Sequence, residues 1–372
     1  MASVAEARWA FTADLYARLG GTAGNLVFSP YSVASALRMA WYGARGRTAD
    51  ELARVLHIAD LDGAVAEAGE TAARLAALPR DAVELHVADT VWVQSGLRLE
   101  PDYVEALRLG HDVTPRPADF RTAPEPARRE INSTVEDATL GHITGLLAEG
   151  TIDELSRLVL TDAIYLKAAW AVPFAKHATR DAPFHRPDGS TVPVPMMRAN
   201  EQYGYAHGDG CQAVQLRYEG GRLAMTVLLP AGAPENLEQR LTRRWLDALL
   251  AAIRPAGVDL TVPRFRVSTN RPLNEDLEAL GMVEAFKDGR ADFTGITRDE
   301  PLAVSHVAHA AHIDVDERGT EAAAATAVAH RAVALRVPEV RVVVDRPFLF
   351  TITDTASGLP LFLGRVEDPS AR

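Results

Sequence analysis

The segment DVDERGTEAAAATAVAH, residues 314–330, decides how this chain is read. Four consecutive alanines between threonines ordinarily signal helix, because alanine has the best helix propensity. The residues just before them argue otherwise, since His312, Ile313, Asp314, Val315 and Asp316 alternate as a strand does. Continued as a strand, the segment puts Thr320, Ala322, Ala324 and Thr326 on one side and Glu321, Ala323, Ala325 and Ala327 on the other. Glu321 needs water, so the set starting at Thr320 is the one suited to an interior, and every member of it is small. Proline and glycine are absent from 320 through 337, so each residue can supply an N–H to a ladder.

The rest of the 372 residues supply an ordinary globular composition, 47% apolar and 24% charged, enough for a sizeable core and far from disorder. A formal net charge of -11 excludes a dedicated binder of nucleic acid or of acidic membranes, which needs a basic face. Local basic character, for example around Arg128 and Arg129, extends into no longer basic run. The single cysteine, Cys211, permits no internal disulfide and reads as a small buried hydrophobe. No apolar stretch approaches the roughly 18 residues of a membrane span. The N-terminus carries charges where a signal peptide needs its apolar centre. It reads as an amphipathic helix with Trp9, Phe11, Leu15, Tyr16 and Leu19 on one side. The expected location is cytoplasmic by default, or extracellular if the chain is a mature form or leaves by another route.

The first third has helical character. Ser29 is placed to cap a helix that starts at Pro30 and ends near Gly43 and Gly46. Thr48 and Glu51 have the spacing of a capping box for the next helix. Segments 100–110 and 124–148 continue in the same vein. Strands dominate the remainder: DAVELHVADTVWVQ, LVLTDAIYLKAAW, CQAVQLRY, LAMTVLLP and VDLTVPRFRV are β-branched or aromatic runs bounded by Gly, Pro or Asp. VRVVVDRPFLFTITD and GLPLFLGRV, joined by TASG, read as a buried hairpin. Helices and strands interleave without repeat, linker or heptad run, which predicts one mixed α/β (α+β) domain over residues 1–372.

The common enzyme motifs are absent: no G-x-S-x-G, no P-loop, no G-x-G-x-x-G and no H-E-x-x-H. An unrelated hydrolase with an unmotifed triad is the remote alternative, because triads are defined by geometry. His306, His309 and His312 resemble a metal cluster in spacing only. In a strand His306 and His312 point one way and His309 the other, so three ligands do not converge. No metal and no cofactor are expected, and His309 reads as a buried, hydrogen-bonded histidine.

Several ordered segments together resemble the serpins, the serine protease inhibitor family. NLVFSPYSVASALRMAWYGARGRTADEL resembles the family's second helix and its approach. TIDELSRLVLTDAIYLKAAWAVPF resembles the strand behind its moving sheet, with Trp170 at its end. GSTVPVPMM, LTVPRFRV and LGMVEAFKDGRADFTGI follow in the family's order. VSHVAHAAHIDVDERGTEAAAAT is similar to the inhibitory hinge, and RPFLFTITDTASGLPLFLGRVEDP to the closing hairpin, so the resemblance covers nearly the whole chain.

The resemblance implies a metastable fold of three β-sheets and about nine helices with an exposed reactive-centre loop at about 319–337. A protease attacks the loop and forms an acyl-enzyme; the severed loop then inserts into the main sheet and the trapped enzyme is distorted before hydrolysis ends. The partner is a serine protease in a covalent 1:1 complex with a monomeric inhibitor, and no nucleic acid or membrane takes part. The alternative within the family is a non-inhibitory binding or chaperone module.

The implied hinge comprises Glu317, Gly319, Thr320, Glu321, Ala322, Ala323, Ala324, Ala325 and Thr326. All agree with the inhibitory pattern. Small side chains let the strand enter without overpacking, an error costing about 1 to 3 kcal/mol per site, and Gly319 serves as pivot. Counting sixteen residues from Glu317, the family's usual interval, puts the reactive bond between Val333 and Ala334, with Arg331 as the competing register. Valine there suits elastase-like enzymes, with chymotrypsin-like and subtilisin-like enzymes as further targets.

The implied shutter of the main sheet is Ser29, Ser32, His309 and Asp162, the last standing where the family has asparagine; Trp170 marks the breach. A carboxylate accepts only, so this change favours a protonated His309 if the two touch. The region matching the family's heparin-binding helix, GETAARLAALPRDAVELH, has only Arg74 and Arg80 among several acids, so no heparin activation is expected.

Overall fold

In the computed structural model the protein is described at residues 4–58, 60–79, 82–232, 238, 241–320 and 338–371. The chain opens with α1 (Val4–Leu19), β1 (Leu26–Phe28), α2 (Pro30–Gly43), α3 (Gly46–Val55) and α4 (Leu61–Ala76). It continues through β2 (Val83–Val87), β3 (Thr90–Gln94), α5 (Pro101–His111), β4 (Arg116–Ala118), α6 (Pro124–Ala138), β5 (Leu158–Ala169), β6 (Arg180–His185) and β7 (Thr191–Gly208). Then come β8 (Cys211–Arg217), β9 (Leu223–Pro230), α7 (Arg243–Ala252), β10 (Arg254–Pro263), β11 (Phe265–Pro272) and α8 (Asn274–Leu280). The last strands are β12 (Val304–Val315), β13 (Gly319–Thr320), β14 (Val340–Val343), β15 (Phe348–Asp354) and β16 (Pro360–Val366).

Local signals explain many of these boundaries. Ser29 caps α2, its Oγ accepting the Ser32 amide at 3.0 Å, with Pro30 in the first turn where its missing N–H costs nothing. The capping box is corrected: α3 already starts at Gly46, so Thr48 and Glu51 lie within it and spend their oxygens elsewhere. Thr48 Oγ1 accepts the Asp292 amide at 3.0 Å, and Glu51 accepts the amides of Val283 and Glu284 at 2.8 and 2.7 Å. The apolar side of α1 is confirmed, with Trp9, Phe11, Leu15, Tyr16 and Leu19 all buried. The helix expected over 124–148 stops at Ala138, where Thr139 turns its hydroxyl onto the Val135 carbonyl at 2.7 Å.

Among the described residues two hydrogen-bonded sheets result, where three were expected. One runs β11-β12-β13-β5-β3-β4, with β2 also on β5; the other runs β1-β16-β15-β9-β8-β7-β10-β14, with β6 on β7. The second is continuous because β7, 18 residues long, pairs in turn with β6 over 191–196, β10 over 196–205 and β8 over 204–208. Eight α-helices occur among the described residues, against about nine expected. The mixed α+β architecture itself is as expected.

Alternation along β5 sorts its side chains between two cores. Leu158, Leu160, Ile164 and Leu166 face inward, the first two toward α2 and the others toward the second sheet. Val159 and Ala163 face the opposite way, in a cluster with Ile131 and Val135 of α6 and Ala308 and Ala310 of β12. The pairing of β12 with β5 is parallel, from Val304↔Leu158 to His312↔Tyr165. This central seam is thus covered by α6 on one face and backed by α2 on the other.

Candidate functional site

The seam does not continue to its end. After Val315 the chain turns at Asp316 and comes back as β13, which enters between β12 and β5. Thr320 pairs with Val315 on one side and Ala168 on the other, and Gly319 pairs with Ala169, all antiparallel. Asp316 builds the turn: its Oδ1 accepts the amides of Arg318 and Gly319 at 2.7 and 3.2 Å, and its own amide donates to the Gly319 carbonyl at 2.9 Å.

Glycine is required at 319 by closeness of approach, since a Cβ there would stand 2.0 Å from the Ala168 carbonyl oxygen and 2.7 Å from Ala169 Cα. The expectation that the loop is exposed from 319 onward is therefore corrected at its start. Gly319 and Thr320 are buried inside the sheet. Glu321 to Thr326, Arg331, Val333 and Ala334 lie outside the described residues.

Trp170, at the end of β5, is the anchor of this turn. Its amide donates to the Arg318 carbonyl at 2.8 Å and its indole Nε1 to the Asp316 carbonyl at 3.0 Å. Its ring stacks on Tyr218, with centroids 4.5 Å apart and planes 13° from parallel. Trp170 and Tyr218 also form an antiparallel bridge that ties the two sheets together at this point. The Tyr218 hydroxyl meets Thr320 Oγ1 at 2.7 Å with both groups buried. Thr320 thus faces inward, as the alternation of the segment required.

Glu317 is 1% exposed, yet its carboxylate is supplied with donors: Arg264 Nε at 3.0 Å, Arg264 NH2 at 2.5 Å and Thr179 Oγ1 at 2.5 Å. Burial alone would raise this carboxyl, but the hydrogen bonds from Arg264 and Thr179 outweigh it and hold the group below the ordinary glutamate range. The stabilisation is complete above that range and is lost on acidification through it and below. Arg264→Ala is expected to cost about 1 to 3 kcal/mol and to flatten the acid limb of stability. Urea unfolding across an acid pH series checks both effects.

Lower in the seam, His309 faces Asp162 across the paired strands, Nδ1 against Oδ1, both fully buried. The Ser29 amide donates to His309 Nε2 at 3.2 Å, and Ser32 Oγ donates to Asp89 Oδ1 at 2.6 Å. Ser29, Ser32, Asp162 and His309 thus come together as expected, and the contact of histidine with aspartate forms. The expected protonated His309 does not fit this geometry. Its Nε2 accepts a backbone N–H and so carries no proton, which leaves the neutral tautomer with Nδ1–H toward Asp162.

His312 lies on the opposite face, its Nδ1 2.7 Å from Ser268 Oγ, and the Cys211 thiol is buried and pushed up to about 12 by that burial.

Tyr218, Arg264, Thr179 and Asp89 join the site without having been singled out in the sequence. Asp89 had one available signal, a charged residue set between the apolar runs VELHV and TVWVQ. The others stand in unremarkable strand and loop sequence.

A sheet with its central strands already parted at one end by the start of another strand defines a protein with a half-made place for one more strand. This chain belongs to the serpin family: the family model described as serpin (serine protease inhibitor) matches residues 6–369. An uncharacterised serpin-like protein of Thermococcus kodakarensis is 38% identical over 96% of this chain and 84% of its own length. The leukocyte elastase inhibitor of Bos taurus is 35% identical over 99% of this chain and 100% of its own. Among solved structures, thyroxine-binding globulin in complex with thyroxine superposes with a TM-score of 0.88 at 28% identity, covering 99% of both chains. The proteins it resembles thus include both an elastase inhibitor and a thyroxine-binding protein.

Proposed function

We propose that this chain, as one domain, is a suicide-substrate inhibitor of serine proteases that traps the acyl-enzyme by inserting its cleaved loop between β5 and β12. The observation that carries this reading is β13: Gly319 and Thr320 already occupy the first two positions of the strand to be inserted, antiparallel to both neighbours. Continued at that register, the small residues 322, 324 and 326 follow Thr320 on the inward side. Similarity to an elastase inhibitor and the valine at 333 support elastase-like targets, with chymotrypsin-like and subtilisin-like enzymes next.

The mechanism follows from two competing rates. The protease attacks the carbonyl of Val333 and releases the amine of Ala334, leaving an ester to its serine. Freed at one end, the strand zips downward from Thr320, replacing the β12–β5 pairing with two ladders. The enzyme is carried along before water reaches the ester. The proposed partner is therefore a protease in a covalent 1:1 complex with a monomer.

Mixing native protein with a pancreatic or leukocyte elastase is expected to give an SDS-stable band containing both chains. Intact inhibitor that yields no such band across a panel of elastase-, chymotrypsin- and subtilisin-like enzymes rejects the reading. Heparin is expected to leave the rate of complex formation unchanged, because α4 carries a single basic residue, Arg74, in its last turn. A large acceleration in a stopped-time assay would contradict that.

A further inference from the structure

The shutter contains one acid too many. Asp89 and Asp162 are both buried, and each has one carboxylate oxygen, Oδ2, that is inaccessible to solvent and without a hydrogen-bond partner. Their backbones are adjacent. Val87 pairs with Ile164 and Thr90 with Thr161, so the two residues between, Ala88 and Asp89, lie opposite Asp162 and Ala163. The Ala88 amide closes this gap on the Ala163 carbonyl at 2.8 Å. Two bare carboxylates side by side in a dry seam repel strongly, and a buried ion without a counterion costs several kcal/mol.

On β12, His309 is the group in contact, and it is neutral because the Ser29 amide occupies its Nε2. On α2, Ser32 donates to Asp89 and Ser35 hydrogen-bonds it as well, both uncharged. Tyr31, on the same helix, is held in its neutral form by burial. Arg38 of α2 and Arg8 of α1 are each committed to Glu67 of α4. His111 of α5 sits between Ser35 and Tyr42, and burial holds its imidazole down at about 3. Among the described residues, no arginine or lysine forms an ion pair with either aspartate.

We propose that Asp89 and Asp162 hold one proton between their Oδ2 atoms, Asp89 being the protonated partner, and that parting β12 from β5 releases it. A neutral Asp89 keeps Oδ1 to accept from Ser32 and turns Oδ2–H into a donor, while Asp162 remains an acceptor for both that proton and His309 Nδ1–H. Every polar atom of the cluster is then satisfied. Burial and the charge of Asp162 drive Asp89 upward, which agrees with this placement. Parting the seam removes His309 and admits water, so the carboxyl ionises as ordinary aspartate does. The closed sheet binds a proton that the open one does not. Its advantage is full below the ordinary carboxylate range and declines as pH rises, so opening accelerates toward higher pH.

The position of the proton rests on geometry; its bearing on trapping rests on the inhibitory reading. The test therefore uses no protease. Difference infrared spectroscopy of the native protein at neutral pH is expected to show the C=O stretch of a protonated carboxyl, lost in Asp89→Asn. The unfolding rate at fixed temperature, followed by tryptophan fluorescence, is expected to rise with pH above the ordinary carboxylate range, by up to about tenfold per unit. Asp89→Asn and Asp162→Asn are expected to flatten that profile. A native protein without the carboxyl band, or with an NMR signature of a His309 imidazolium, overturns the proposal even if neither variant folds. A pH profile unchanged in both variants overturns it too.

Discussion

Thr320→Arg is expected to convert the inhibitor into a plain substrate. The loop is still cut at the same bond, but the SDS-stable complex disappears and the protease emerges active. Thr320 is fully buried, with its hydroxyl on Tyr218 and Tyr218 stacked on Trp170, so no space or partner exists for a guanidinium. Burying it unpaired costs on the order of 4 kcal/mol. The guanidinium therefore holds residues 319–320 out of the seam in the uncut molecule and must be buried anew on insertion; as each 1.36 kcal/mol is a factor of ten in rate, insertion slows about a thousandfold and loses its race with hydrolysis. Thr320→Ser keeps the hydroxyl and the small volume and is expected to keep trapping. The measurement is the ratio of complex to cleaved inhibitor on a denaturing gel, with residual protease activity read in parallel. A complex formed as abundantly by the arginine variant as by the parent would disprove the role given to residue 320.

The second large effect concerns heat. Cutting the loop without a protease attached is expected to raise the thermal unfolding midpoint by tens of degrees. In the uncut molecule β12 and β5 satisfy each other in parallel, and among the described residues β13 contributes Gly319 and Thr320 to an antiparallel arrangement. Once the strand is released at one end it completes two antiparallel ladders and buries the methyls of its alanines, with no proline or glycine to interrupt them through residue 337. A metalloprotease, which forms no acyl-enzyme, nicks the loop and is then removed to provide the sample, and calorimetry compares it with intact protein. An unchanged midpoint would favour the non-inhibitory alternative.

Much of this fold was legible because its signals are local. The α2 cap at Ser29, the apolar side of α1 and the strands β5, β8, β9, β15 and β16 each announce themselves within a dozen residues. The meeting of Ser29, Ser32, Asp162 and His309 was legible through family resemblance alone, since nothing local to those four residues brings 29, 162 and 309 together. Helix α3 was mis-started because Thr48 and Glu51 fit a local rule while serving distant backbone amides at 283, 284 and 292. The protonation of His309 was misjudged for a similar reason. Sequence showed the pair with Asp162, but not the Ser29 amide that occupies the second nitrogen or the further carboxylate at 89. Long-range hydrogen bonds of this kind leave no periodicity behind. Tyr218 and Arg264, which receive Thr320 and Glu317, are invisible on the same grounds.

The claim at the centre of this account is that the loop is cut at one bond and then inserts with the protease still attached. Incubation with an elastase followed by mass spectrometry of the mixture tests both halves at once. The expected result is a covalent adduct of the protease with residues up to Val333, and a released C-terminal fragment beginning at Ala334. A fragment beginning at Ala332 instead would move the bait residue to Arg331. A cleaved loop with the protease free and fully active, and no adduct at any ratio, would contradict the account.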